Sequence, residues 1–117
     1  MHRCFQHWAK SESLTDTTLR KAVTEIEKGL HDGNLGSGLY KKRVAMSGKG
    51  KRGGYRTLLA FKQGERAFFV YGFAKNIKTN INEKEKTVYK SLAKKLLNLD
   101  RKTLDNMIKM GNLTEVK

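Results

Sequence analysis

Lysine and arginine side chains concentrate in the middle of this sequence. Residues 41–66 contain nine basic residues and a single acidic one, Glu65. A charge excess that only keeps a protein soluble is expected to be spread along the chain, whereas one that binds phosphate groups is expected to be clustered. The cluster therefore favours a polyanion as partner, first nucleic acid, then an anionic membrane, then an acidic protein. A solvated basic surface is the alternative interpretation.

Two arginines in this region are predicted to face each other. Arg43 and Arg56 lie in alternating, strand-like segments on either side of a glycine-rich stretch, so a symmetric hairpin pairs them directly. If the next hairpin closes at its glycine, Arg56 also lies opposite Tyr71. Lys41 shares this face and Lys75 continues it, because residues two apart on a strand point the same way. Guanidinium groups donate paired hydrogen bonds to phosphate and stay charged at any working pH.

The stretch between the two arginines, residues 47–53, interleaves glycines with cations. Its glycines allow backbone N–H groups to approach an anion closely, and Lys49, Lys51 and Arg52 add phosphate contacts. It is not a nucleotide-triphosphate loop, because the sequence has no GxxxxGK[ST] match and the glycines lie in a hairpin rather than before a helix. A flexible hairpin with solubilising lysines is the alternative.

Hydrophobic periodicity predicts the elements that would position these groups. Period-2 alternation predicts three strands, at residues 39–46, 54–62 and 66–74, and residues 30–38 are predicted to form a loop. One sheet face is predicted to form the core; its residues are Val44, Met46, Tyr55, Leu59, Phe61, Phe68 and Val70. The charged face also carries Leu58, Ala60 and Phe69, so a helix is expected to cover one end of it and leave the other open.

Helical periodicity flanks the predicted strands on both sides. Helices are predicted around residues 5–10 and 15–29. After the last strand, Asn82 and Glu85 have the spacing of a capping box, Asp100 is placed to cap a last short helix, and Gly111 to end it. The apolar stripe of the helix after Asn82 is predicted to consist of Val88, Leu92, Ala93 and Leu96.

Length and composition limit the class of protein. The chain has 117 residues, 38% of them apolar, and a formal net charge of +14. One modest core and a single domain over residues 1–117 are expected. The single Cys4 excludes an internal disulfide, and the three scattered histidines lack the spacing of zinc ligands, so no metal or cofactor is expected. No apolar run reaches the length of a membrane span, and a cytoplasmic location is expected.

Three segments of this chain resemble the RelE/ParE superfamily of type II toxins, in particular its HigB-like branch of ribosome-dependent mRNA interferases. They are residues 39–45, 48–57 and 68–76, and the resemblance extends from about Phe5 to Val116. It implies a RelE-like α+β fold, in agreement with the patterns above: an antiparallel sheet of three to four strands, with two N-terminal helices and one or two C-terminal helices.

The resemblance also implies an activity, the metal-independent cleavage of mRNA in the ribosomal A site. A ribose 2′-OH attacks the adjacent phosphate, which requires a base, cations around the phosphorus and an acid for the leaving oxygen. By similarity, Arg56 is the first choice for stabilising charge, and Lys41 and Arg43 match the basic pair of the preceding strand. Lys41 is the candidate base. Lys75 and Tyr71 are candidates for the acid, with packing as the alternative role for Tyr71.

The chain departs from the family pattern at two positions. Asn76 replaces an arginine that relatives carry after the lysine of the last strand, and Asn82 stands where they carry a tyrosine. Further contacts to RNA or the ribosome are predicted; these residues are Lys42, Lys49, Lys51, Arg52 and Asn76. The implied partners are mRNA on the ribosome, ribosomal RNA and an antitoxin, usually of the helix-turn-helix type.

Two other functions remain open at the level of sequence. The first is a ParE-like, non-catalytic inhibitor of DNA gyrase, which the two departures favour. The second is an RNA-binding protein that does not cleave. The cluster of cations and the retained Lys41, Arg43 and Arg56 favour the nuclease, because an inhibitor of a protein target needs no phosphate cradle.

Overall fold

A four-stranded antiparallel sheet lies between two N-terminal and two C-terminal helices. The computed structural model describes residues 3–12, 14–46, 50–62, 66–74, 81–111 and 113. Its elements are α1 (Arg3–Ser11), α2 (Asp16–Glu27), β1 (Gly33–Gly36), β2 (Leu39–Met46), β3 (Gly50–Lys62), β4 (Arg66–Ala74), α3 (Glu83–Leu97) and α4 (Arg101–Lys109). The strands are arranged in the order β1-β2-β3-β4, each antiparallel to its neighbour. The predicted α+β fold is confirmed.

Side-chain caps begin α2, α3 and α4, and those of α3 and α4 are the predicted ones. Thr15 Oγ1 accepts the backbone N–H of Thr18 at 3.2 Å at the start of α2. Asn82 and Glu85 form a reciprocal capping box on α3, with bonds of 2.8 and 3.1 Å. Asp100 caps α4, and the backbone N–H of Thr103 lowers the pKa of its carboxyl. Within the described residues, no helix has the length and apolar character needed to cross a membrane.

Strand β1 lies inside the segment that was predicted to be a loop. It pairs with β2 through a two-residue turn, Ser37-Gly38, in which both residues have positive φ, 56° and 80°. Positive φ at both central positions is typical of a type I′ hairpin. The loop prediction was wrong because a four-residue strand with glycine at both ends shows no alternation of apolar residues.

Helices pack on both faces of the sheet and form two apolar clusters. The first cluster lies under α1 and α2 and comprises Phe5, Ala9, Leu19, Ala22, Ile26, Val44, Leu59 and Phe69. The second lies under α3 and α4 and comprises Leu39, Leu58, Ala60, Phe68, Val70, Ala93, Leu96, Leu104 and Leu113. The expectation that a helix covers part of the charged face is therefore confirmed for α3. The predicted apolar stripe of α3 was wrong at Val88, which is 57% exposed, and the half-buried Tyr89 lies on that stripe instead.

A β-bulge in β4 exchanges the predicted faces of three residues. Leu58 pairs with Tyr71, but the next residue, Leu59, pairs with Phe69, so Val70 is an extra residue on β4. One extra residue reverses the alternation of side chains for the rest of the strand. Phe68 and Val70 therefore pack under α3, and Phe69 packs under α1, the reverse of the prediction.

Candidate functional site

The centre of the site is a pair of arginines on adjacent strands. Arg43 of β2 lies directly opposite Arg56 of β3, as the hairpin symmetry predicts. Across β4, the partner of Arg56 is Phe73 rather than Tyr71, so the predicted row is displaced by two residues. Tyr71 lies in the neighbouring row, opposite Leu58, which in turn pairs with Lys41. Lys41, Arg43, Arg56 and Tyr71 thus share one sheet face.

Arg56 carries a buried donor without an acceptor. Its Nε atom is inaccessible to solvent and has no hydrogen-bond partner among the described residues. A buried donor that lacks a partner costs about 1–3 kcal/mol, and a charged one costs more. Arg43 lies directly opposite, so the guanidinium of Arg56 is also next to a like charge, and a bound anion would offset that repulsion.

Arg43 has a carboxylate partner that sequence analysis missed. Oδ2 of Asp32 accepts the backbone N–H of Arg43 at 2.7 Å, and Oδ1 accepts its Nε–H at 3.2 Å. Partial burial acts to raise the pKa of Asp32, but the backbone hydrogen bond and the charges of Arg43 and Lys42 outweigh it and hold that pKa below its usual value. No local pattern indicates this contact, because the two residues are eleven positions apart.

Asp32→Asn is expected to destabilise the protein in a pH-dependent way. Because the folded-state pKa of Asp32 is lowered, its stabilising effect is full above the unfolded pKa of about 3.9 and is lost as the pH falls through the folded value. We expect the variant to lose about 1 kcal/mol near neutral pH. Urea unfolding of both proteins from pH 7 downwards measures this. A deficit that stays constant down to acid unfolding would contradict the role of the charge.

Lys41 lies along the sheet toward β1. It pairs with Gly33, and a Cβ built on Gly33 would lie only 3.0 Å from Lys41 Cε, so the glycine leaves room for the lysine stem. Lys90 of α3 approaches β1 in the same way, since a Cβ on Gly36 would lie 3.3 Å from its Nζ. Neither ammonium group has a hydrogen-bond or ion-pair partner within the part of the chain that the structure describes.

Aromatic rings line the α3 side of the site. Tyr71 stacks on Tyr89 with ring centroids 4.9 Å apart and an interplanar angle of 15°, and Tyr71 also contacts Phe73 at 5.6 Å. The packing role considered for Tyr71 is therefore present in the structure. Tyr89 was not among the residues predicted for the apolar stripe of α3, although its place three residues before Leu92 and four before Ala93 puts it on that stripe.

Lys42 lies on the opposite face of the sheet from the two arginines. It is 4% exposed, and its Nζ pairs with Glu25 of α2 at 3.4 Å. Neighbouring residues on a strand point to opposite faces, so the run Lys41-Lys42-Arg43 divides its charges between the two. The burial of Lys42 contradicts its predicted contact with RNA or the ribosome, because α2 covers it.

Lys42→Met is expected to affect stability rather than RNA contacts. Breaking a buried ion pair costs about 3–5 kcal/mol, and we expect about 1–3 kcal/mol here because Glu25 is 22% exposed. Adding Glu25→Gln should recover part of the loss. Urea unfolding measures both, with Lys21→Met on the exposed side of α2 as control. A Lys42→Met protein of normal stability that binds RNA weakly would favour the original prediction.

The side chains of the remaining predicted site residues lie outside the described part of the structure. Lys49, Lys75 and Asn76 lie outside the described residues, and for Lys51 and Arg52, which lie in β3, only the backbone is described. The contribution of these five residues remains a prediction. Among the side chains that are described, no group of three or more His, Cys, Asp or Glu residues could hold a metal ion.

The described part of the site is suited to binding a phosphodiester. Two facing guanidinium groups can bind one phosphate, and Lys41 lies one row away. Cations and donors that are already in place can stabilise the negative charge that grows on phosphorus during transfer.

Comparison with known proteins assigns the family. No curated protein and no solved structure shows significant similarity to the chain. A family model described as the RelE toxin of the RelE/RelB toxin–antitoxin system matches residues 1–116, nearly the whole sequence. The four-stranded antiparallel sheet and its flanking helices agree with the fold that the resemblance implied. The chain therefore belongs to the RelE toxin family.

Proposed function

We propose that the protein is a ribosome-dependent endoribonuclease of the HigB-like branch, which stops translation by cutting mRNA in the ribosomal A site. The observation that carries this proposal is the Arg43–Arg56 pair on one face of the sheet. Facing arginines destabilise a sheet when no anion is bound. An inhibitor that binds only another protein has no use for this destabilising pair, whereas an enzyme that binds a phosphate uses both arginines as ligands.

In the proposed reaction the ribose 2′-OH attacks the adjacent phosphate, leaving a 2′,3′-cyclic phosphate and a free 5′-OH. Arg56 and Arg43 stabilise the charge on the pentacoordinate phosphorus, and Lys41 accepts the 2′ proton. The leaving 5′ oxygen takes its proton from Lys75 or Tyr71. This assignment of roles is supported by the common face of Lys41, Arg43, Arg56 and Tyr71.

We place this reaction on cytoplasmic ribosomes, with ribosomal RNA as a second contact. A net charge of +14 raises the association rate with any polyanion and does not by itself select a cleavage site, so the ribosome must present the mRNA. The RelE family implies an antitoxin partner. A helix-turn-helix antitoxin whose acidic segments cover the basic face would neutralise the toxin.

The decisive experiment is primer extension on mRNA in a reconstituted translation reaction, with and without ribosomes. We expect cuts inside codons only when ribosomes are present, and products that end in a cyclic phosphate. Cuts in naked RNA would contradict ribosome dependence. Uncut mRNA combined with loss of gyrase supercoiling would favour the ParE-like inhibitor, and binding without cuts would favour an RNA-binding protein.

A further inference from the structure

Asp32 occupies the point at which the β1–β2 ladder ends. Its own backbone N–H donates to the carbonyl of Lys41 at 2.8 Å. The next N–H of β2 on that side belongs to Arg43, because alternate residues of an antiparallel strand bond to the same neighbour. Oδ2 of Asp32 accepts this N–H at 2.7 Å. The side chain therefore replaces a further residue of β1, and the main-chain bond fixes the position of the carboxylate.

The second oxygen of the same carboxylate orients the guanidinium of Arg43. Oδ1 accepts the Nε–H of Arg43 at 3.2 Å, which uses the one donor nearest the side-chain stem. Within the described part of the chain, no group bonds to the two terminal nitrogens. These nitrogens form the fork that binds phosphate in a bidentate manner. The Arg43 side chain is 48% exposed, so a ligand can reach it.

The charge of Asp32 also acts on the arginine pair. Arg43 lies directly opposite Arg56, and like charges at paired positions repel. A carboxylate on the stem side of Arg43 offsets this repulsion and leaves the terminal nitrogens positively charged. Without it, the long and flexible side chain of Arg43 would lose the contact that fixes its Nε, and its terminal nitrogens would no longer be held in one orientation. Arg56 has no comparable carboxylate partner among the described residues.

We propose that Asp32 is a positioning residue of the cleavage reaction, which holds Arg43 so that its terminal nitrogens face the scissile phosphate beside Arg56. This proposal rests on the proposed endoribonuclease function. Asp32 acts through Arg43 and itself makes no contact with the RNA. Its removal therefore matters only while Arg43 is present.

The test compares Asp32→Asn with Asp105→Asn, alone and in an Arg43→Ala background. Asp105 is the matched control, because its Oδ1 also lies 3.2 Å from an arginine Nε, that of Arg101 on α4. In ribosome-dependent cleavage we expect Asp32→Asn to lower kcat about tenfold, because a misplaced Arg43 slows the chemical step. KM is not expected to rise, because the loss of a negative charge does not weaken the binding of RNA. In the Arg43→Ala background the same change should cost less than about twofold. Asp105→Asn should change neither constant.

A second measurement does not depend on catalysis. The Nε–H resonance of Arg43 is expected to be protected from exchange in the wild type and to lose this protection in Asp32→Asn, with Arg101 as internal reference. An unchanged resonance, normal kcat in a folded Asp32→Asn protein, or an equal loss with and without Arg43 would each overturn the proposal. If the wild type does not cut mRNA, the proposed function fails and the positioning role fails with it, even if the resonance shifts as expected.

Discussion

Replacing Arg56 by alanine is expected to abolish growth arrest while leaving the protein folded. In the proposed reaction this guanidinium is a fixed donor to the transition-state charge, and loss of one such donor typically lowers the rate by about 10²–10³-fold. The structure predicts that this substitution removes activity and leaves stability nearly unchanged. Alanine removes the buried Nε that lacks an acceptor and the repulsion with Arg43, and these gains offset the packing lost with the aliphatic stem of the arginine. The free energy of unfolding is therefore expected to change by less than about 1 kcal/mol.

The measurement combines colony growth after induction, single-turnover cleavage of ribosome-bound mRNA, and urea unfolding. Arg101→Ala is the matched control, because Arg101 is an exposed arginine on α4 and its ion pair with Asp105 lies outside the sheet. Arg56→Lys tests the geometry of the fork, since it retains the charge and loses the paired donors. Full toxicity of a folded Arg56→Ala protein would remove the basis of the nuclease proposal.

Phe5→Ala is expected to have the largest effect on stability, about 3–5 kcal/mol. Phe5 is 1% exposed and stacks on Phe69 of β4 with ring centroids 4.9 Å apart, so it joins α1 to the sheet. Trp8 reinforces the contact, because its ring lies on Gly72, where an added Cβ would overlap it. A domain of this size has a total stability of about 5–15 kcal/mol, so the variant is expected to be marginal at 37 °C.

Urea unfolding at 25 °C measures this loss, with His7→Ala on the exposed side of the same helix as control. The control is expected to stay within about 0.5 kcal/mol of the wild type. If Phe5→Ala were equally mild, α1 would contribute little to the fold. Gly72→Ala offers an independent check, because pushing Trp8 away should also destabilise the protein, by about 1–3 kcal/mol.

The local features of the fold could be predicted from sequence because short-range chemistry determines them. A cap depends on a side chain and an N–H three residues later, as at Asn82 and Glu85. The bounds of β2 and β4 follow from alternation of side chains, and both agree with the prediction. The Arg43–Arg56 pairing could also be deduced, because the glycine-rich stretch between them allows a symmetric hairpin.

Sequence by itself therefore determined the α+β class, the positions of the helices and of β2, β3 and β4, and the central arginine pair of the candidate site. Only the tertiary structure decided which neighbours those arginines have. Three features depend on contacts between elements: the bulge at Val70, the burial of Lys42 beside Glu25, and the hydrogen bonds from Arg43 to Asp32. Such contacts depend on burial, charge and packing between residues that are far apart in the chain, so residue spacing alone cannot predict them.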